Sequence, residues 1–237
     1  EAFDGGTNRL SFDIVNSRFT ENSAYVPYDS DYRHFLGVDM GQTCNLVIGR
    51  ANSVSKVEAL LFEAVPVDAI VDRVIALVEM YNIDLGHCDR QPYEPTAQEI
   101  CTKTGSQIIP CEYGQQGKYD LKNDQMGNLS HVRVNRTAQL DFIVRLINNH
   151  QITFSGYGTS KELIIQHLRD MVREESPEKQ AVWTKLTGDD HYFHALGYMT
   201  QAVNQYFEGT GLGNKTSCTI YLGDVSSHYK PSRLSGY

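Results

Sequence analysis

No apolar run in this 237-residue chain approaches the ~18 residues that a membrane-spanning helix needs, which excludes transmembrane insertion. Basic residues are in the minority. The 21 Lys and Arg stand against 29 Asp and Glu, a net charge of −8 and a pI of 5.4, the wrong balance for a cationic coat on nucleic acid. Cysteine is sparse: Cys44, Cys88, Cys101, Cys111 and Cys218 are 5 in number, widely spaced, and form no C-x-x-C pair. With no signal-peptide pattern in the sequence given, a reducing, cytoplasmic setting is expected rather than a disulfide framework. A phosphate loop of the G-x-x-x-x-G-K-[ST] type is missing too. Its nearest approach, Gly117-Lys118, is followed by Tyr119, and Glu112 stands where the first glycine belongs. What remains, 41% hydrophobic and 21% charged, is the composition of an ordinary globular protein of one or two domains.

Residues 1–33 are polar and rich in Tyr, Asn and Asp, and read as a linker or arm. Residues 34–208 read as the folded domain and 209–237 as a Gly/Ser-rich tail with a partial strand at Thr219–Leu222. His34 to Gly41 is a short apolar strand containing Asp39. Leu46–Arg50 and Val57–Val65 complete an antiparallel meander. Val67, Ile70, Val71, Val74, Val78 and Tyr81 recur at helical spacing, which predicts a helix opening at Pro66. A strand at Ile83–Asp89, a helix near Thr96–Lys103 and a strand at Gln107–Glu112 then alternate, the pattern of a parallel sheet portion. Tyr113–His131 reads as a long loop or hairpin. A helix carrying Leu140, Ile143 and Ile147 and a short strand at Gln151–Phe154 follow. Thr159-x-x-Glu162 reads as a capping box, opening a helix with Leu163, Ile164, His167, Leu168, Met171 and Val172 on one face. Trp183 precedes a last helix from Asp190 to Phe207.

Asp39 and Asp89 each end a short apolar strand, where burial of an acid is costly unless it is paired or holds a cation. Ligands of open α/β sheets gather at the carboxyl ends of strands. Two carboxylates meeting there repel unless a cation lies between them, and hard oxygen ligands favour Mg²⁺ or Mn²⁺. Either aspartate alone is as well explained as a turn cap. On the last helix, Tyr192, Ala195, Leu196, Met199, Val203 and Tyr206 share an apolar face. Asp190, His194, Gly197 and Gln201 form a stripe opposite, with Gly197 suited to the approach of another backbone. An N-cap would use only one of Asp189 and Asp190. Paired acids followed by a histidine at i+4 exceed what capping needs.

Phe35-Leu-Gly-Val-Asp39-Met-Gly41, then Ile83-Asp-Leu-Gly-His-Cys-Asp89 with Pro92 and Ala97, then Asp189-Asp-His-x-x-His-Ala-Leu-Gly-Tyr198 resemble the nuclease domain of tailed-phage terminase large subunits. Val134-Asn-Arg-Thr137 and the strand at Gln151–Phe154 fit the same pattern, over roughly Phe35 to Phe207. The resemblance implies an α/β fold of the RNase H-like, integrase-like class. That fold has a central mixed sheet of at least five strands, antiparallel first strands and helices on both faces. It implies an endodeoxyribonuclease that cuts concatemeric double-stranded DNA during genome packaging, by two-metal-ion phosphodiester hydrolysis with Mg²⁺ or Mn²⁺. Asp39, Asp89 and Asp190 become the metal-binding carboxylates. Family members often carry an aspartate where this chain has His194, so Asp189, Asp190 or a histidine is left to complete the site. Asp190 is favoured, with His191 or His194 as auxiliary ligand or proton shuttle, and Gln42, Thr43 and His87 as orienting groups.

The same resemblance implies an N-terminal ATPase domain of a longer protein, a portal and a small terminase subunit as partners, in the host cytoplasm and away from membranes. Lys118, Lys122, Arg133 and Arg136 flank the loop after the fifth strand as candidate DNA contacts. Lys161, Arg169 and Arg173 lie on the next helix. Phosphate contacts of this kind carry no base information, and the acidic remainder of the chain predicts weak, salt-sensitive binding. Two readings compete. One is another RNase H-like nuclease of the resolvase or integrase type. The other is an actin-like or sugar-kinase-type ATPase fragment, for which Gly37-Val-Asp-Met-Gly-Gln-Thr43 supplies a first phosphate loop but no second one follows.

Overall fold

Phe35, Gly37 and Asp39 alternate with Leu36 and Val38 along the first strand, and each set meets its own layer of helices. The computed structural model describes residues 9–20, 26–114, 120–124, 127, 129–156, 158–176 and 179–209. Strands β1 (Arg33–Asp39), β2 (Thr43–Ser53) and β3 (Lys56–Pro66) form the antiparallel meander. Strands β4 (Leu85–Asp89) and β5 (Ile108–Gly114), then a hairpin of β6 (Asp120–Asn123) and β7 (Leu129–Asn135), extend the sheet from β1. Strand β8 (Ile152–Phe154) adds to the far side of β3. The order is β6-β7-β5-β4-β1-β2-β3-β8, with β1, β4, β5 and β7 parallel. This is the expected mixed sheet with antiparallel first strands.

Helices α1 (Phe12–Asn16), α2 (Ile70–Tyr81), α3 (Glu94–Lys103), α4 (Arg136–Asn148), α5 (Lys161–Arg169) and α6 (His191–Glu208) cover both faces. On one face Leu36, Val38, Ile48 and Cys88 pack with Ile70, Val74 and Leu77 of α2 and Ile100 of α3. On the other, Phe35, Val47, Phe62 and Phe154 pack with α4, α5 and α6 through Ile143, Ile164, Leu196 and Met199. Each such side chain contributes roughly 1.5–3 kcal/mol by leaving water. Leu10 and Val15, within the segment read as an arm, are buried in this second layer. The tail read from residue 209 lies, from residue 210 onward, outside the described residues.

Three local expectations are corrected. Pro66 closes β3 opposite Thr43, and α2 begins only at Ile70. The cap of α5 is Ser160, whose Oγ accepts from the Leu163 amide, one residue after the threonine expected to open the box. Helix α5 stops at Arg169, and Met171–Ser176 forms β9, paired with β10 (Lys179–Lys185) in a separate hairpin. Asp170 causes the break: its carboxylate accepts the Thr187 and Gly188 amides, tying the helix end to the residues after β10. Cys44, Cys88, Cys101 and Cys111 are buried free thiols, and no described helix is long and apolar enough to cross a membrane.

Candidate active site

The parallel register of β1 on β4 aligns Val38 with Cys88, so the next residues, Asp39 and Asp89, emerge side by side at the carboxyl ends of neighbouring strands. Both lie on the face covered by α6, because they share the alternation of Gly37 and His87. Helix α6 starts beside them, and its N-cap, Asp190, makes no side-chain capping bond. The residue types expected at the site therefore arrive from three elements.

Each carboxylate has its own partner. His191 Nδ1 donates to Asp39 Oδ2 at 2.8 Å, and that bond raises the His191 pKa against the opposing pull of burial. His194 Nε2 stands 3.2 Å from Asp190 Oδ2, and Lys185 Nζ lies 3.4 Å from Asp190 Oδ1. Burial works to raise the Asp190 pKa, but the His194 hydrogen bond and the Lys185 charge bring it well below the ordinary carboxylate range. Asp89 has less support. Burial and the Asp39 charge push it up to about 7, although Asp89 Oδ1 accepts from the Gln91 amide at 3.1 Å. Asp189 is different: its side chain is 66% exposed, 3.8 Å from His191 Nε2 and 3.9 Å from Lys185.

The donor set is one that suits a hard divalent cation: buried carboxylate oxygens with too little positive charge around Asp89. Among the described residues, however, no three His, Cys, Asp or Glu side chains stand together as a ready metal-holding group. Asp39 is turned to His191 and Asp190 to His194. A cation would compete with these two hydrogen bonds for the same oxygens.

Some expected contributors sit elsewhere. His87 is fully buried, with Nε2 2.8 Å from Gln205 Oε1 and Nδ1 3.3 Å from the Ile109 carbonyl. Helix α6 carries buried side chains all round, and the close backbone approach is made by Gly37, not Gly197. Gly197 instead faces Ile143, Gln139 and the Tyr113 hydroxyl. Tyr113 and Lys185 belong to no motif of the sequence, and Tyr198 closes the last motif without a role of its own. Tyr113 ends an alternating run with Ile109 and Cys111, which marks its face but not its neighbours.

Of the candidate DNA contacts, Lys118 lies outside the described residues. Lys122 is paired with Asp120, and Arg133 donates to Glu112 at 2.9 Å. Arg136 donates to the Trp183 carbonyl at 2.6 Å and so holds the β9–β10 hairpin against α4. Arg173 belongs to β9, not to a helix, and bonds Asp141. Besides Lys185, a basic residue next to the site is Arg90, which joins Arg133 on Glu112 and also pairs with Glu94.

No protein-family model and no curated protein matches the sequence. Solved structures do match the fold. The large terminase nuclease of the thermophilic phage G20c superposes with a TM-score of 0.56 at 14% identity, covering 80% of this chain and 96% of that one. The same nuclease with bound magnesium gives 0.55 at 12% identity, covering 80% and 95%. The large terminase of bacteriophage HK97 gives 0.52 at 9% identity, covering 81% of this chain and 42% of that one. A manganese-soaked, inhibitor-bound terminase nuclease domain of human cytomegalovirus gives 0.51 at 9% identity, covering 85% and 97%. The chain has the RNase H-like fold that these nucleases share.

Proposed function

We propose that this chain is the nuclease domain of a viral terminase large subunit, cutting double-stranded DNA with the help of divalent metal ions. The observation that carries the reading is Asp39 and Asp89 side by side at the ends of β1 and β4, with the start of α6, Asp190 and His191, brought to them by the His191–Asp39 bond, on a fold shared with terminase nucleases. Asp39, Asp89 and Asp190 would hold the cation, a pair of Mg²⁺ or Mn²⁺ ions in the full reading; Asp189, exposed and near Lys185, is left out. A bound divalent ion supplies charge stabilisation at the scissile phosphate and a water acidic enough to attack it.

The chain's own groups do the rest. His191 holds a proton at Nδ1 against Asp39, and His194 holds Asp190 in place from the next turn of α6. Lys185 supplies positive charge at Asp190. Asp89, which burial and Asp39 push toward neutrality, gains most from a cation. Arg90 and Arg133, already shared with Glu112, leave little free positive charge for DNA beside the site, which supports weak, non-specific binding.

The HK97 alignment, over 42% of that protein, supports placing this domain within a longer motor with an ATPase domain. Portal, small terminase subunit and the host cytoplasm follow as partners and setting. The test is supercoiled plasmid incubated with the purified chain. Nicked and linear products in Mg²⁺ or Mn²⁺, absent in EDTA, are expected. No cleavage with either metal, or hydrolysis of ATP instead, overturns the proposal.

A further inference from the structure

Tyr113, His194 and Asp190 stand in line from the end of β5 to the start of α6. The Tyr113 ring stacks on Tyr198, with centroids 5.2 Å apart and planes 19° from parallel. Its hydroxyl is 3.3 Å from His194 Nδ1, and the other ring nitrogen, Nε2, is 3.2 Å from Asp190 Oδ2. An ionised carboxylate can only accept, so Nε2 carries the hydrogen of that bond. In neutral imidazole Nδ1 is then a lone pair, and the donor facing it must be the Tyr113 O–H. Desolvation of the hydroxyl, reinforced by Cys111 and Asp89, keeps the phenol well above its ordinary pKa, so the proton stays on Tyr113.

We propose that Tyr113 is a positioning residue, locking His194 in the Nε2–H tautomer and through it aiming the Asp190 carboxylate at the ends of β1 and β4. A histidine held by a second hydrogen bond on its far nitrogen has a fixed ring and a fixed tautomer. In that state His194 Nε2 is occupied by Asp190, so His194 serves the carboxylate and is not itself a metal ligand. The bland alternative is that Tyr113 merely fills space against Tyr198. Stacking needs the ring and not the hydroxyl, so Tyr113→Phe separates the two roles while keeping the packing. The role given to Asp190 rests on the nuclease reading above; the tautomer of His194 does not.

The experiment is long-range ¹H–¹⁵N NMR of the histidine rings in metal-free protein at mildly alkaline pH, for wild type and Y113F, followed by Mn²⁺ titration of each. His194 in wild type is expected as the single Nε2–H tautomer, and Y113F is expected to give a mixture. Y113F is expected to weaken Mn²⁺ binding about tenfold, the usual scale for losing an outer partner of a metal ligand. In an H194Q background the same substitution is expected to change Mn²⁺ affinity less than about twofold, because the path runs through the imidazole. An Nδ1–H tautomer in wild type, ring signals untouched by Y113F, or an equal loss of Mn²⁺ affinity in H194Q overturns the proposal. A tautomer released by Y113F with no Mn²⁺ bound by wild type supports the lock and overturns the metal reading.

Discussion

A Cβ placed on Gly37 would lie 2.0 Å from the Ala195 carbonyl oxygen and 2.3 Å from the Met199 amide nitrogen. Helix α6 therefore rests its backbone directly on β1, two residues before Asp39. That contact sets how near Asp190 and His191 come to the strand ends. Because the obstacle is backbone and not a flexible side-chain end, Gly37→Ala must displace the helix. The expected cost is about 3 kcal/mol or more, read as a lower urea midpoint at pH 7. A midpoint unchanged from wild type would show that α6 does not lie on β1 in this way.

Asp89 should destabilise the protein when no metal is present. Its folded-state pKa of about 7 lies above the ordinary 3.8, so the folded form holds a proton that the unfolded form has released. Stability is then lost as pH rises from about 4 to about 7. Asp89→Asn removes this penalty, and in metal-free buffer at pH 8 the variant should be more stable than wild type by an order of 1–4 kcal/mol. The gap should shrink at pH 5 and on saturating wild type with Mn²⁺. Thermal melts at the two pH values, with and without Mn²⁺, measure it; a D89N variant less stable than wild type at pH 8 contradicts the assignment.

His87 gives the opposite pH window. Burial lowers its pKa to about 4 despite its bonds to Ile109 and Gln205. The unfolded chain takes up the proton first, so this contribution is intact above about 6.5 and is lost as pH falls to about 4, to a total of ~3 kcal/mol. His87→Gln should flatten the acid limb of the stability curve over that interval and leave the alkaline limb unchanged. An acid limb identical to wild type would mean that His87 is not the buried neutral imidazole described.

The strand ends were readable from the chain because period-two alternation puts Gly37 with Asp39 and His87 with Asp89 on one face, whatever the rest of the fold does. The sheet class followed from the alternation of strands and helices. Errors arose where two local codes overlapped. Met171 and Val172 continue the helical spacing of Ile164 and Leu168, yet the Asp170 carboxylate, bonded to Thr187 and Gly188, turns the chain into a strand. Thr159 and Ser160 can both cap, and it is Ser160 whose Oγ accepts the Leu163 amide. Tyr113 was not legible at all, since its partner His194 is 81 residues away and meets it only through β5 packing beneath α6.

The most direct measurement is a calorimetric Mn²⁺ titration of wild type and of D39N, D89N, D190N and D189N, each first shown to be folded. In the proposed site Asp39, Asp89 and Asp190 hold the cation together, whereas Asp189 has a side chain 66% exposed. Wild type should bind Mn²⁺, the first three variants should each lose at least about tenfold in affinity, and D189N should stay within about twofold of wild type. Retained affinity in all three single variants, or a loss confined to D189N, would contradict a metal site built from β1, β4 and α6.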